Sequence, residues 1–162
     1  MGGGLGVDYI NPDGELIADF NAYFKIFHQH LEVQPNQQVH FELGRSVVAQ
    51  CGSLISKVLY IKNGMSTDFA ILDAGFPDLI RPALYQAHHK IENISKEQQK
   101  DFLYDVVGPI CESTDCFAKG VALPETKRGD LLAIRTAGAY GEVLASEYNL
   151  RDKVKAIYSD EI

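Results

Sequence analysis

Cysteine is scarce in this chain of 162 residues: Cys51, Cys111 and Cys116 make an odd three, without the second pair that zinc-type spacing requires. So low a count argues against a disulfide framework and leads us to expect free thiols in a reducing compartment. Positive charge is short as well. Fifteen Lys and Arg against twenty-two Asp and Glu give a formal net charge of −7, a mean field that repels nucleic-acid backbones and anionic membrane surfaces. No stretch approaches the roughly eighteen consecutive apolar residues of a membrane span, and the start has no basic segment of the secretory kind. With 46% hydrophobic and 23% charged residues, the chain can bury a core and falls outside the disordered, collagenous and fibrous classes. A soluble cytoplasmic protein is the expectation.

Glycine is concentrated at the beginning, where Gly2-Gly3-Gly4-Leu5-Gly6 follows Met1 directly. Such a run lets backbone N–H groups approach an anion, and it is useful when a scaffold element delivers it. The reading is that the chain is the C-terminal part of a longer protein; a tag-like leader is the alternative. Apolar Leu16, Ile17, Phe20, Tyr23, Phe24, Phe27 and Leu31 then recur at three- and four-residue steps, which predicts an amphipathic helix opening near Asn11 to Gly14 and closed by Gln34-Pro35-Asn36. Residues 38–43 read as a strand followed by a break at Gly44-Arg45. Helix, strand and loop in that order are the rhythm of an α/β unit. Beyond residue 49 the pattern changes to short strand-like runs at 53–62, 68–75, 84–94, 106–112 and 131–136, with turns at Lys62-Asn63-Gly64 and Lys127-Arg128-Gly129-Asp130. The expected fold is mainly β: residues 49–162 form a sandwich- or barrel-like domain, preceded at 1–48 by the tail of an α/β unit. Ser95-Lys96-Glu97-Gln98 has the form of a capping box that opens either a short helix or a loop. The stretch 150–158 is amphipathic.

Several segments bring chemistry-bearing groups together. Glu42-Leu43-Gly44-Arg45 sets a carboxylate and a guanidinium around a glycine, as a ligand site or as a surface ion pair on a turn. Arg81-Pro82-Ala83-Leu84-Tyr85 spaces an Arg and a Tyr four apart and suits either a carboxylate grip or a strand-end Arg with a packed Tyr. Gly108 to Asp115 crowds a thiol, two carboxylates and two hydroxyls into one turn, a costly mixture for a connector. Within it Cys111 reads as nucleophile, proton donor or plain thiol. Tyr140 stands among the small residues Ala139 and Gly141. The histidines suggest no metal site, because His28 and His30 do not share a helix face and adjacent His88 and His89 point to opposite sides of a strand.

Taken together and in this order, these motifs resemble the C-terminal half of the diaminopimelate decarboxylases, pyridoxal-phosphate enzymes of the alanine-racemase-like fold-type-III group. The likeness runs from the glycine loop to Ala139-Tyr140-Gly141, and Cys111-Glu112-Ser113 with Arg81 to Tyr85 favours this branch over the related ornithine and arginine decarboxylases. The resemblance implies a (β/α)8 barrel that ends at residues 1–48 and a β domain at 49–162. It implies that Gly2, Gly3, Gly4 and Gly44 offer amides to the phosphate of pyridoxal 5′-phosphate, that Glu42 faces the pyridine nitrogen, and that Tyr140 bonds the phosphate or lines the pocket. Arg45, Arg81 and Tyr85 would hold substrate carboxylate. In such a head-to-tail homodimer Cys111 and Glu112 enter the opposite subunit's site, Glu112 reading the distal amino end of the substrate and Cys111 transferring a proton. Leu43 departs from the family's usual proline. The lysine that carries the cofactor belongs to an early barrel strand, and none of Lys25, Lys57, Lys62, Lys90 or Lys119 has its sequence setting, so the chain by itself is expected to be inactive. The implied reaction converts meso-2,6-diaminopimelate to L-lysine and carbon dioxide, in lysine biosynthesis. The alternatives are an ornithine- or arginine-type decarboxylase and a non-catalytic dimerisation domain.

Overall fold

A computed structural model describes residues 1–14, 18–97 and 99–161. Helix α1 (Phe20–His30) opens later than the periodicity suggested, because Asp19 is its cap and accepts from the Ala22 N–H at 2.8 Å. Upstream, the Asp8 carboxylate accepts from the N–H groups of Ile10 and Asn11, and Gly14 N–H bonds the Asn11 carbonyl, so 8–14 is turn. Leu16 and Ile17 lie outside the described residues. Three rings of α1, those of Tyr23, Phe24 and Phe27, pack edge-on around Phe41 at centroid distances of 6.0, 5.0 and 4.9 Å.

The expected strand at 38–43 does not form. Alternating side chains suit a strand there, yet a strand needs a ladder partner, and among the described residues none runs beside it. The segment instead lies along the glycine run: the Met1 ammonium donates to the His40 carbonyl at 2.9 Å.

Helix α2 (Gly44–Val48) then leads into β1 (Leu54–Asn63), β2 (Asp68–Leu72), helix α3 (Arg81–Tyr85), β3 (Ile91–Asn93), β4 (Phe102–Val107), β5 (Cys116–Leu123) and β6 (Leu131–Ile134). They form one six-stranded sheet in the order β3-β6-β1-β2-β4-β5, antiparallel except where β2 and β4 run parallel. Its two edge strands, β3 and β5, come back into contact, so the sheet curls into a nearly closed barrel. Leu54 and Val58 of β1 point inward, Ile55 and Lys57 outward, until a bulge before Tyr60 shifts the register. The inward set joins Leu72, Tyr104, Val106, Phe117, Leu123, Leu132 and Ile134 in one core.

The mainly β expectation for the second part holds, with local corrections. The run at 84–94 is a strand only at 91–93, because Pro82 and Arg81 start a helical turn closed by Gln86 at φ 52. The run at 106–112 ends at Val107, where Gly108 begins the turn. Strand β5 was not anticipated: Lys119-Gly120 interrupts its pattern like a turn, but Gly120 takes φ 61 within the strand and its N–H bonds the Asp105 carboxylate at 2.8 Å. No helix follows Ser95 among the described residues. Its N–H bonds Asn93 Oδ1 and its hydroxyl accepts from Leu131 N–H, while Gln98 of the expected capping box lies outside them. Residues 151–158 are not helical.

Candidate active site

Four segments far apart in the chain converge at one rim of the sheet on a cleft of about 460 Å³. Gly3, Gly4 and Leu5 supply one wall, Glu42 to Ser46 the floor, Arg81 and Tyr85 a second wall, and Tyr140 with Leu144 the third. Eight of the residues singled out from sequence therefore meet here: Gly3, Gly4, Glu42, Gly44, Arg45, Arg81, Tyr85 and Tyr140. Gly2 lies just outside the lining. Leu5 and Leu43 lie inside the two motifs without having been given a role, and Ser46 and Leu144 were not anticipated, since no motif marks them.

Backbone packing brings these segments together. A Cβ on Gly3 would stand 2.6 Å from the Glu42 carbonyl oxygen, so the glycine run and the floor touch main chain to main chain. Gly4 turns away at φ +108, a conformation that leaves N–H groups open to an anion. On the opposite side Gly52 and Gly138 face each other: a Cβ on Gly52 would meet Gly138 Cα at 2.8 Å, and one on Gly138 would fall well inside contact distance of the Val48 carbonyl. Hydrogen bonds from Ala137 N–H to Gly52 O and from Gly138 N–H to Ala49 O, at 2.8 and 3.0 Å, fasten the Tyr140 loop to the end of α2. The Tyr140 hydroxyl is thereby set 3.0 Å from where a Gly44 Cβ would be. Gly138→Ala is accordingly expected to lose about 1–3 kcal/mol of folding stability through overpacking, measured by denaturant unfolding. Gly6→Ala, where a Cβ meets nothing within 4 Å, should stay within about 0.5 kcal/mol.

The charges in the cleft are not spent on one another. Glu42 and Arg45 form no ion pair among the described residues, so the turn ion pair that the sequence allowed is absent. Arg81 is 5% exposed at the start of α3, with Tyr85 one turn on and on the same face. Its NH1 donates to the Tyr9 hydroxyl at 2.8 Å and to His89 Nε2 at 3.2 Å. The guanidinium also stacks 5.0 Å from the centroid of the Tyr9 ring. No carboxylate pairs with Arg81 among the described residues, and a nearly buried cation in that state is costly unless an anion arrives to meet it.

Cys111 and Glu112 lie elsewhere, on the exposed turn between β4 and β5. Asp115 shapes this turn. Its carboxylate accepts from the N–H groups of Phe76 and Ile110 at 2.7 Å each, and the space above Gly108 and Gly75 is filled by that carboxylate. Burial lifts its pKa above the ordinary carboxylate value despite the two N–H donors. The Tyr148 hydroxyl donates to Glu112 Oε1 at 2.6 Å, a bond that pushes the phenol's own pKa up. Asp115 was not singled out from the sequence as a site residue; the glycines on either side of it in space are its one trace.

A cleft lined by glycine backbone, two guanidinium groups, a carboxylate and two phenols at the rim of a barrel-like sheet has the chemistry to suit a small, multiply charged ligand. The chain matches the model of the pyridoxal-dependent decarboxylase C-terminal sheet domain over residues 16–138 and belongs to that family. The diaminopimelate decarboxylase of Bacteroides thetaiotaomicron is 59% identical over 162 residues, all of this chain and 42% of that protein. That of Pseudomonas aeruginosa is 44% identical over 99% of this chain and 37% of its own. A crystal structure of diaminopimelate decarboxylase from Helicobacter pylori complexed with L-lysine superposes with a TM-score of 0.77 at 42% identity, covering 94% of this chain and 37% of that one. The chain thus spans about two fifths of the length of the curated relatives it matches. No helix among the described residues is long and apolar enough to cross a membrane.

The residues present fit pyridoxal phosphate. Main-chain approach at Gly3, positive φ at Gly4 and a Gly44 that a Cβ would press against the Tyr140 hydroxyl leave room for backbone amides, with that hydroxyl, to meet a phosphate. Arg45 adds a cation, and Glu42 a carboxylate with no ion-pair partner among the described residues, as a ring nitrogen would require.

Proposed function

We propose that this chain works as the C-terminal part of a cytoplasmic, homodimeric diaminopimelate decarboxylase that releases carbon dioxide from meso-2,6-diaminopimelate and leaves L-lysine, within lysine biosynthesis. The observation that carries this reading is the convergence of Glu42, Arg45, Arg81 and Tyr140 on one cleft beside the glycine run. Residues 1–48 complete the cofactor-binding barrel and 49–162 form the β domain. Pyridoxal phosphate, when bound, supplies a ring that takes up the electron pair left behind by carbon dioxide.

The protein's own groups do the rest. Amides of Gly2, Gly3, Gly4 and Gly44 hold the phosphate, with the Tyr140 hydroxyl beside it. The Glu42 carboxylate keeps a proton on the pyridine nitrogen and so favours electron withdrawal. Arg45, Arg81 and Tyr85 grip substrate carboxylate, Arg81 with the planar donor edge that suits two oxygens. Glu112 receives the distal ammonium and Cys111 returns a proton to the carbon that lost carbon dioxide, both acting in the partner subunit's cleft. Their exposed turn, outside the lining of this chain's own cleft, supports that division.

The experiment is carbon dioxide release by the holoenzyme on meso-diaminopimelate, ornithine and arginine. At least about a hundredfold preference in kcat/KM for diaminopimelate is expected, because ornithine and arginine lack the second carboxylate and leave a buried guanidinium unpaired. Equal or greater activity on ornithine or arginine overturns the substrate assignment.

A further inference from the structure

Arg81 is useful as a carboxylate grip only if its guanidinium is aimed, and the described residues show what aims it. A guanidinium donates and never accepts. His89 Nε2, at 3.2 Å from Arg81 NH1, is therefore the acceptor, and the imidazole proton resides on Nδ1, where it is donated to the Arg135 carbonyl at 2.9 Å. Both hydrogens of NH1 are spent, one on His89 and one on the Tyr9 hydroxyl. Among the described residues no hydrogen bond engages Nε or NH2, the edge that can take two carboxylate oxygens, and Arg81 lines the cleft.

The support is rigid. His89 is 1% exposed and meets the Tyr9 ring edge-on at 5.1 Å. The groups that face it are Arg81 from α3, Tyr9 from the N-terminal segment, the Arg135 carbonyl from the end of β6 and neighbouring His88. The Arg135 guanidinium is engaged by Glu92 and Asp13. No carboxylate pairs with the imidazole among the described residues. Burial, together with the charges of Arg81 and His88, holds its pKa below the usual histidine value, against the opposing effect of the Arg135 carbonyl.

We propose that neutral His89, with Tyr9 as second support, is the positioning residue that aims Arg81, and so sets how tightly the holoenzyme holds the carboxylate remote from the bond that breaks. This rests on the reading of Arg81 as a carboxylate grip. Protonation of His89 turns Nε2 into a donor that faces another donor, so acid should release Arg81 from its place.

The test compares L-lysine, which carries that remote carboxylate, with cadaverine, which lacks it, by calorimetric titration of the holoenzyme. His89→Leu is expected to weaken L-lysine about tenfold, the loss of one hydrogen bond to a charged group, with cadaverine within about twofold. KM for diaminopimelate should rise while kcat falls far less. His89→Gln offers an amide oxygen to Arg81 and should restore most of the L-lysine affinity. For the wild type, preference for L-lysine over cadaverine should decline only on the acid side of the ordinary histidine range, as pH falls from about 6.5 to about 4.5, where neither ligand titrates, because burial keeps His89 neutral above it; it should stay flat in His89→Gln.

Equal weakening of both ligands by His89→Leu overturns the proposal, as does an unchanged preference. If His89→Leu does not fold, Tyr9→Phe, which removes the second acceptor of Arg81 NH1, takes its place, and an L-lysine preference that it leaves unchanged overturns the proposal. Arg81→Leu separates the two readings. If it abolishes the preference while the His89 variants keep it, positioning fails and the grip stands; if it leaves the preference intact, the grip itself fails and the positioning role with it.

Discussion

Glu42→Gln in the holoenzyme is expected to lower kcat on diaminopimelate by about a hundredfold or more, the scale of removing one preorganised electrostatic group from a reacting centre. Cofactor content, read by absorbance after dialysis, should remain near that of the wild type. Glutamine keeps the shape of glutamate, so the Gly3 contact with the Glu42 carbonyl and the neighbouring amides are undisturbed. It loses the charge that holds a proton on the ring nitrogen. Because the carboxylate has no ion pair among the described residues, its loss breaks no structural bridge, and the effect should fall on the chemical step with KM little altered. A parallel fall in cofactor content with kcat per bound cofactor preserved would make Glu42 a structural residue.

What could be read from sequence follows from how local each feature is. Glu42-Leu43-Gly44-Arg45 and Arg81 to Tyr85 are short, contiguous and chemically unusual, and the cleft gathers both. The supports of Arg81 were invisible because they depend on the fold: Tyr9 is 72 residues away in sequence, and His89, eight residues on, looked like one of a strand pair. Strand β5 was hidden by Gly120, whose positive φ lets the chain continue where the sequence resembles a turn. Residues 38–43 show the opposite case. Their alternation suits a strand, but no neighbouring strand among the described residues gives them a ladder. Local pattern reports what a segment can do, and neighbours decide what it does.

The turn that carries Cys111 and Glu112 is exposed and lies outside the lining of its own chain's cleft. Asp115 fixes its base through two backbone N–H groups, and Tyr148 steadies the Glu112 carboxylate, so the turn is held ready without a substrate. If it serves the partner's cleft, inactive Glu112→Ala holoenzyme and an inactive variant at the cofactor-binding lysine should complement each other on mixing. Half of randomly reassociated dimers are mixed, and each has one intact cleft of two, so recovery should approach about a quarter of wild-type activity by the symmetry of an isologous dimer. If Glu112 serves its own subunit, every cleft in a mixed dimer carries a defect and activity stays at background. Subunit exchange is verified by pull-down with a tag on one variant, because dimers that do not exchange would also be silent. Confirmed exchange without recovered activity overturns the assignment of Cys111 and Glu112 to the partner's cleft and leaves the roles of Glu42, Arg45 and Arg81 untouched.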